Sequence, residues 1–217
     1  MVRGVLFDLD GVIVDTLHYH YLAWQHMFER YGGSVSKETI LLNEGRKSRE
    51  ILPLLMQKSG IVIPENEQDQ FIEDKRAFYR KIVRISHYPK SFEVVQMLKQ
   101  RGLRVALVTA SDIKNMEYAL GPKQRACFDC ILTGDEIKHA KPDPEPYLTA
   151  ARKLGLEPKE CIVVENAPLG IEAAKAAGML CIAIESTLKR HHLNSADWIF
   201  KSIGELMNST VFRQLVL

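Results

Sequence analysis

Cysteine is scarce in this chain, and net charge is nearly absent. There are 4 cysteines among 217 residues, and 29 Lys and Arg against 27 Asp and Glu leave a formal charge of +2. Such a balance offers no general attraction to nucleic acid or to an anionic lipid surface. Long apolar runs are also missing, and none approaches the roughly 18–20 residues of a membrane span. The opening stretch MVRGVLFDLDGVIVD is broken by Asp8 and Asp10, and no small-residue cleavage site follows. It therefore reads as neither a signal peptide nor an anchor, and the expected location is the cytoplasm. Cys127 and Cys130 form a CxxC, but a zinc site would need a second ligand pair of similar spacing. Cys161 and Cys181 stand alone in the apolar runs CIVV and CIAI, where a free thiol packs as a small hydrophobe. Internal repeats and low-complexity tracts are absent as well. Disorder is excluded by the 46% of hydrophobic residues, ample material to offset chain entropy.

What is present has two textures. Residues 1–14 and 87–217 alternate short apolar runs with amphipathic stretches. The runs VRGVLFDLD, LRVALVTAS, FDCILTGD, ECIVVEN and MLCIAIES are rich in Leu or β-branched residues and end in polar ones. Between them lie the helical patterns SFEVVQMLKQRG, DPEPYLTAARKLGL and PLGIEAAKAAG, whose terminal glycines are stop signals. A last strand is expected at 197–200 and a helix at 202–207. Strands alternating with helices of this length predict βαβ units, hence an α/β fold with a doubly wound parallel sheet covered on both faces. Residues 15–86 instead carry only helical periodicity, which predicts a small helical domain inserted directly after the first strand.

Open parallel sheets bind ligands beyond the carboxyl ends of their strands. Those ends carry Asp8-Leu9-Asp10-Gly11, then Thr109-Ala110-Ser111-Asp112, then Glu165-Asn166, with Lys141-Pro142-Asp143-Pro144 in a loop between. Distant in sequence, they converge along one sheet edge. The set suits phosphoryl transfer. A carboxylate can attack phosphorus, and a second acid can protonate the leaving oxygen and later activate water. A lysine and a threonine can stabilise the phosphoryl oxygens. Two carboxylates facing a phosphate call for a divalent cation, and Mg²⁺ suits one or two carboxylates plus phosphate. On an extended strand Asp8 and Asp10 share a face while Leu9 points into the core, and Gly11 permits the turn that follows.

With those residues in view, DLDGVIVDT (8–16), LVTAS (107–111), KPDPEPY (141–147) and VVENAPLGIEAAKAAG (163–178) resemble the four motifs of the haloacid dehalogenase superfamily. They stand in that family's order over essentially the whole chain. The insert resembles the small helical cap of its phosphoglycolate phosphatase and β-phosphoglucomutase branch. The resemblance implies Asp8 as nucleophile and metal ligand, and Asp10 as general acid/base with its main-chain carbonyl on Mg²⁺. It implies Thr109 and Lys141 on the transferring phosphoryl group, and Glu165 supporting or ligating the metal. Position 166 is usually acidic in the family. Here Asn166 keeps an oxygen but loses a charge, so a weaker hold on Mg²⁺ is expected. The presence of Asp10 favours phosphate esters over haloacids, because a halide leaves without needing a proton.

In the insert, His20 and Trp24 share a helix face at i, i+4. His20 is a candidate for the site and Trp24 for the local core. The stretch Gly45-Arg46-Lys47-Ser48-Arg49 resembles the specificity loop of the branch, and Arg46, Lys47 or Arg49 could hold a second anionic group of the substrate. Ser111 matches a position that contacts a distal phosphate in mutases, whereas Asp112 and Ile113 do not resemble the mutase contacts. The expectation is a Mg²⁺-dependent phosphohydrolase of a small phosphorylated metabolite acting through an aspartyl-phosphate, as a monomer, with neither nucleic acid nor membrane as partner. The alternatives are a phosphosugar mutase and a catalytically weak binding protein that kept the fold.

Overall fold

The computed structural model describes residues 1–216. Apolar residues that alternate along each strand decide its architecture. The order is β1 (Gly4–Phe7), α1 (Leu17–Glu29), α2 (Lys37–Leu42), α3 (Ser48–Ser59), α4 (Glu65–Ile82), α5 (Ser91–Gln100), β2 (Arg104–Val108), α6 (Ile113–Ala119), α7 (Pro122–Arg125), β3 (Cys130–Leu132), α8 (Glu145–Leu154), β4 (Cys161–Glu165), α9 (Pro168–Ala176), β5 (Leu180–Ile184), β6 (Trp198–Phe200), α10 (Ile203–Asn208) and α11 (Thr210–Val216). Successive side chains of a strand point to opposite faces. Val5, Phe7, Val105, Leu107, Ile162 and Val164 thus fill one core, which α5 and α10 cover. Leu6, Ala106, Val108, Cys161, Val163 and Cys181 fill the other, beneath α8 and α9. With both faces covered, the strands pair in parallel throughout, in the order β3-β2-β1-β4-β5-β6.

The expected strands all form, and Ser202 caps α10 by accepting from Glu205 N at 3.1 Å. Three short helices, α6, α7 and α11, carry too little periodic pattern to be read from sequence. Helices α1 to α4 pack around a core of their own, built on Trp24, Met27, Phe28, Leu52, Leu55 and Phe71. The α3 helix begins at Ser48. Lys47 is the N-cap residue, so Glu50 reaches back to its backbone N–H at 3.3 Å. The chain leaves and re-enters the sheet layer at one place, where Val14 bridges His87 and Tyr88 N donates to Ile13 O at 3.0 Å. No helix among the described residues is long and apolar enough to cross a membrane.

Candidate active site

Register brings the site together. Phe7 of β1 lies against Leu107 of β2 and Val164 of β4, so the residues that follow each strand leave the sheet at one edge. There Asp8 N donates to Val164 O at 3.0 Å, and Leu9 turns into the core at 1% exposure. Gly11 then takes φ +92°, a region that L side chains avoid, and a Cβ there would lie 2.1 Å from Asn166 Nδ2. Asp8, Asp10, Thr109, Lys141, Glu165 and Asn166 are all buried at this edge.

Two polar networks divide the site. In the first, Lys141 Nζ lies 2.5 Å from Asp8 Oδ1 and 2.7 Å from Glu165 Oε1. Burial opposes its charge, but the two carboxylates outweigh that and push its pKa up. Tyr147 OH donates to Glu165 Oε1 at 2.6 Å, while Glu165 Oε2 accepts from the backbone N–H of Asn166 (2.9 Å) and Ala167 (3.3 Å). Each carboxylate oxygen of Glu165 therefore already receives two protein donors. Burial drives the Asp8 carboxyl up to about 8, against the attraction of Lys141 and with added repulsion from Glu165 and Asp10.

The second network holds Asp10. Thr16 Oγ1 donates to its Oδ1, Ser111 Oγ donates to its Oδ2 at 3.0 Å, and His20 Nε2 stands 3.4 Å from Oδ1. The last is an approach rather than a formed hydrogen bond, and His20 Nε2 is otherwise buried without a partner. Burial disfavours charge on Asp10, but His20 and the two hydroxyls together hold its pKa below the usual carboxylate value. Burial and then Lys75 lower the His20 pKa. Its ring stacks on Tyr79 at 4.0 Å, and its Nδ1 faces Lys75 Nζ at 3.3 Å. Thr109 Oγ1 accepts from Ser111 N at 3.0 Å, which leaves its own hydrogen to donate.

A hard cation with oxygen ligands fits here. Asn166 Nδ2 donates to Thr187 Oγ1 at 3.1 Å, while Asn166 Oδ1 is buried and has no partner. Among the described residues no group of three or more His, Cys, Asp or Glu is arranged to hold a metal ion by itself. One free carboxylate and one amide oxygen match the sparse protein coordination that Mg²⁺ accepts alongside waters and phosphate.

Comparison with known proteins decides the family. The family model for haloacid dehalogenase-like hydrolases matches residues 5–184. The chain belongs to that family. It is 30% identical over 180 residues to the phosphorylated carbohydrates phosphatase of Thermotoga maritima, with 82% of each chain covered. It is 28% identical over 207 residues to hexitol phosphatase A of Escherichia coli, covering 94% of this chain and 93% of that one. The solved β-phosphoglucomutase of Clostridium difficile superposes with a TM-score of 0.86 at 25% identity, over 100% of this chain and 97% of that one. The hydrolase is thus a phosphoric monoester hydrolase of the phosphoglycolate phosphatase and β-phosphoglucomutase branch.

One expectation about site residues needs correction. Arg49 of the hydrolase does not face the cleft. It lies on the outer side of α3 and pairs with Asp69 of α4, while Arg46 lines the cleft with its Nε 3.3 Å from Asn43 Oδ1. Ser111 is engaged with Asp10. Glu165 has its oxygens filled by protein donors and anchors Lys141, which leaves Asn166 Oδ1 as the open oxygen on that strand end. His20 does reach the site, and Trp24 is 3% exposed in the insert core.

Sequence reading missed Thr16, Glu44, Lys75, Tyr147 and Gly170. Only Gly170 left a usable signal, being a glycine inside a helical pattern. A Cβ there would stand 1.8 Å from Glu165 Oε1, so its absence makes room for that carboxylate.

Proposed function

We propose that the protein hydrolyses a small phosphorylated metabolite through an aspartyl-phosphate on Asp8. What supports this reading is the juxtaposition of Asp8 and Asp10 in one cleft, with Lys141 spanning Asp8 and Glu165. Asp8 Oδ2 has no protein partner among the described residues and is the oxygen free to attack phosphorus. As its bond to phosphorus forms, the bond to the leaving oxygen breaks, and Asp10 gives that oxygen a proton. Its surroundings hold Asp10 ionised before substrate arrives. The phosphoryl group then brings like charge beside it, which raises a carboxyl pKa and lets Asp10 take up from solvent the proton it donates. In the second half Asp10 removes a proton from water, the water attacks phosphorus, and Asp8 is released with phosphate. Lys141 and the Thr109 hydroxyl receive the phosphoryl oxygens.

Asp8, the Asp10 main-chain carbonyl and Asn166 Oδ1 are the atoms that would hold Mg²⁺. Bound there, it offsets the charge of carboxylate and phosphate. Helices α1 to α4 act as a cap that shields the intermediate from bulk water and opens for release.

A mutase needs contacts for a second phosphate. Arg49 points away and Asp112 is a carboxylate, which favours hydrolysis. The relatives that act on phosphorylated carbohydrates and hexitol phosphates make such esters the first substrates to try. The test is phosphate release from an aryl phosphate and a panel of sugar, polyol and short-chain acid phosphates, with Mg²⁺ or with EDTA. Release is expected with Mg²⁺ alone, and Asp8→Asn abolishes it. Release that survives Asp8→Asn would overturn the mechanism. Isomerisation of a hexose monophosphate activated by a hexose bisphosphate, without net phosphate release, would establish the mutase instead.

A further inference from the structure

The cap side of the cleft carries charge that the phosphoryl chemistry leaves unused. Lys75 of α4 is 4% exposed. It meets His20 Nδ1 at 3.3 Å and lies 4.8 Å from the centre of the Trp24 ring, and its other two N–H donors find no acceptor among the described residues. Opposite, Glu44 follows α2 and lines the same cleft. Its carboxylate accepts no hydrogen bond from the described residues. The next residue, Gly45, has φ +101°, and a Cβ on it would lie 3.0 Å from the Lys141 side chain. The missing Cβ seats the loop directly against the catalytic lysine and fixes Glu44 beside the reacting centre. A buried ammonium with spare donors and a carboxylate with spare lone pairs therefore line one cleft.

We infer that Glu44 sets the charge class of the leaving group, accepting a neutral hydroxyl-bearing alcohol and rejecting one that carries a second anion. The inference rests on the phosphatase reading above. A hydroxyl both donates and accepts, so one or two neighbouring hydroxyls can donate to Glu44 and accept from Lys75 together. A carboxylate or second phosphate only accepts. It would satisfy Lys75 and leave Glu44 facing like charge, an arrangement that selects by repulsion as well as attraction. The neighbouring charges act in the same direction, since Asp10 and Asp8 make this part of the cleft negative, with Lys75 and Lys141 offsetting part of that. Further along the cleft, Arg76 Nε is committed to Asp112 Oδ2 at 3.1 Å, so that cation is already neutralised. Arg46 lines the same cleft and is the rival reader of a second anion.

The experiment compares kcat/KM with Mg²⁺ for two sets of probes in the whole protein. Hexitol and hexose monophosphates form one set, and phosphoglycolate and a hexose bisphosphate form the other. Wild type is expected to prefer the first set by about a hundredfold or more, the range for a site whose polar groups would be left unpaired by the wrong substrate. Glu44→Gln keeps the shape and removes the charge. It should lower kcat/KM on the first set by roughly ten- to hundredfold, mainly through KM, and narrow the preference. Wild-type preference for the second set would overturn the inference and assign the reading to Arg46. Loss by the same factor on both sets would also overturn it, since Glu44 would then be merely structural. Either result leaves the phosphatase reading standing, whereas no release from any ester, aryl phosphate included, overturns both.

Discussion

Lys75 shows how a residue can serve the site at the expense of the fold. Burial, with Arg76 adding repulsion, lowers its pKa from 10.5 to about 8 despite the attraction of Glu44. A depression of that size corresponds to about 3 kcal/mol against the charged native state. The unfolded lysine titrates near 10.5 and the folded one near 8. Below the lower value both are charged and the full penalty is present. As pH rises between the two, the unfolded chain binds more protons, and stability contributed by this group rises. Lys75→Met should therefore stabilise the protein at neutral pH by about 1–3 kcal/mol, raising Tm by several degrees. That gain should shrink by about pH 10, when native Lys75 has shed its proton. Thermal melts at the two pH values check this, and a variant less stable at neutral pH would refute it.

The same residue shows what sequence conceals. Within QFIEDKRAFYRKI, Lys75 looks like any lysine on a solvated helix face, and only packing reveals that it is buried. Glu44 is hidden in the same way between a helix end and a glycine. Asp8, Asp10, Thr109, Lys141, Glu165 and Asn166 were legible because strand ends in a parallel sheet share one edge. The direction of a loop arginine is not encoded locally, so Arg46 and Arg49 could be separated only by the fold.

At the scale of elements, α4 does more than fill the insert core. Phe71 and Ile72 face inward, while Lys75, Arg76, Tyr79 and Arg80 turn toward the sheet edge. Arg80 donates to Asn115 Oδ1 at 2.9 Å, and Arg76 pairs with Asp112, whose other oxygen caps α6 by accepting from Asn115 N at 2.8 Å. One short helix of the sheet layer thus receives both arginines. Arg76→Ala is expected to raise KM by about two- to fivefold, the worth of a partly exposed ion pair. The effect should fade at high salt, because screening weakens the same pair in wild type. Steady-state kinetics at low and high ionic strength test it, and a salt-independent effect would mean that Arg76 acts by packing alone. Helix α6 escaped sequence reading because its seven residues cannot display a full apolar face, although Asp112 is a recognisable N-cap type. The strands were easier. Each alternates between two cores, and that period survives in the sequence even where the whole run is apolar.

The whole molecule owes its stability to two sheet cores and an insert core, with no covalent brace. All four cysteines are free, with Cys161 and Cys181 buried in the strands and Cys127 and Cys130 half-buried. Burial raises the Cys161 pKa to about 12, which suppresses the reactive thiolate. Dithiothreitol should leave Tm unchanged. In the native protein an alkylating agent should label Cys127 well before Cys161 or Cys181, read by mass spectrometry after brief exposure. A fall in Tm on reduction would reveal a disulfide and refute this.

The crossing near Val14 and His87 has a consequence for how such a protein changes over time. Asp15 N donates to Ser86 O at 2.8 Å, so the two cut ends of the helical segment lie side by side. To the sheet, everything between them is a single long loop, and the entropy of closing a loop grows only slowly with its length. A foreign segment of another size could be spliced in at these two points without disturbing strand order or register. Recombination can therefore replace the helical insert, and with it the groups proposed to read the leaving group, while the carboxylates of the sheet edge keep their places. One reaction becomes transferable between substrates by exchange of a cassette.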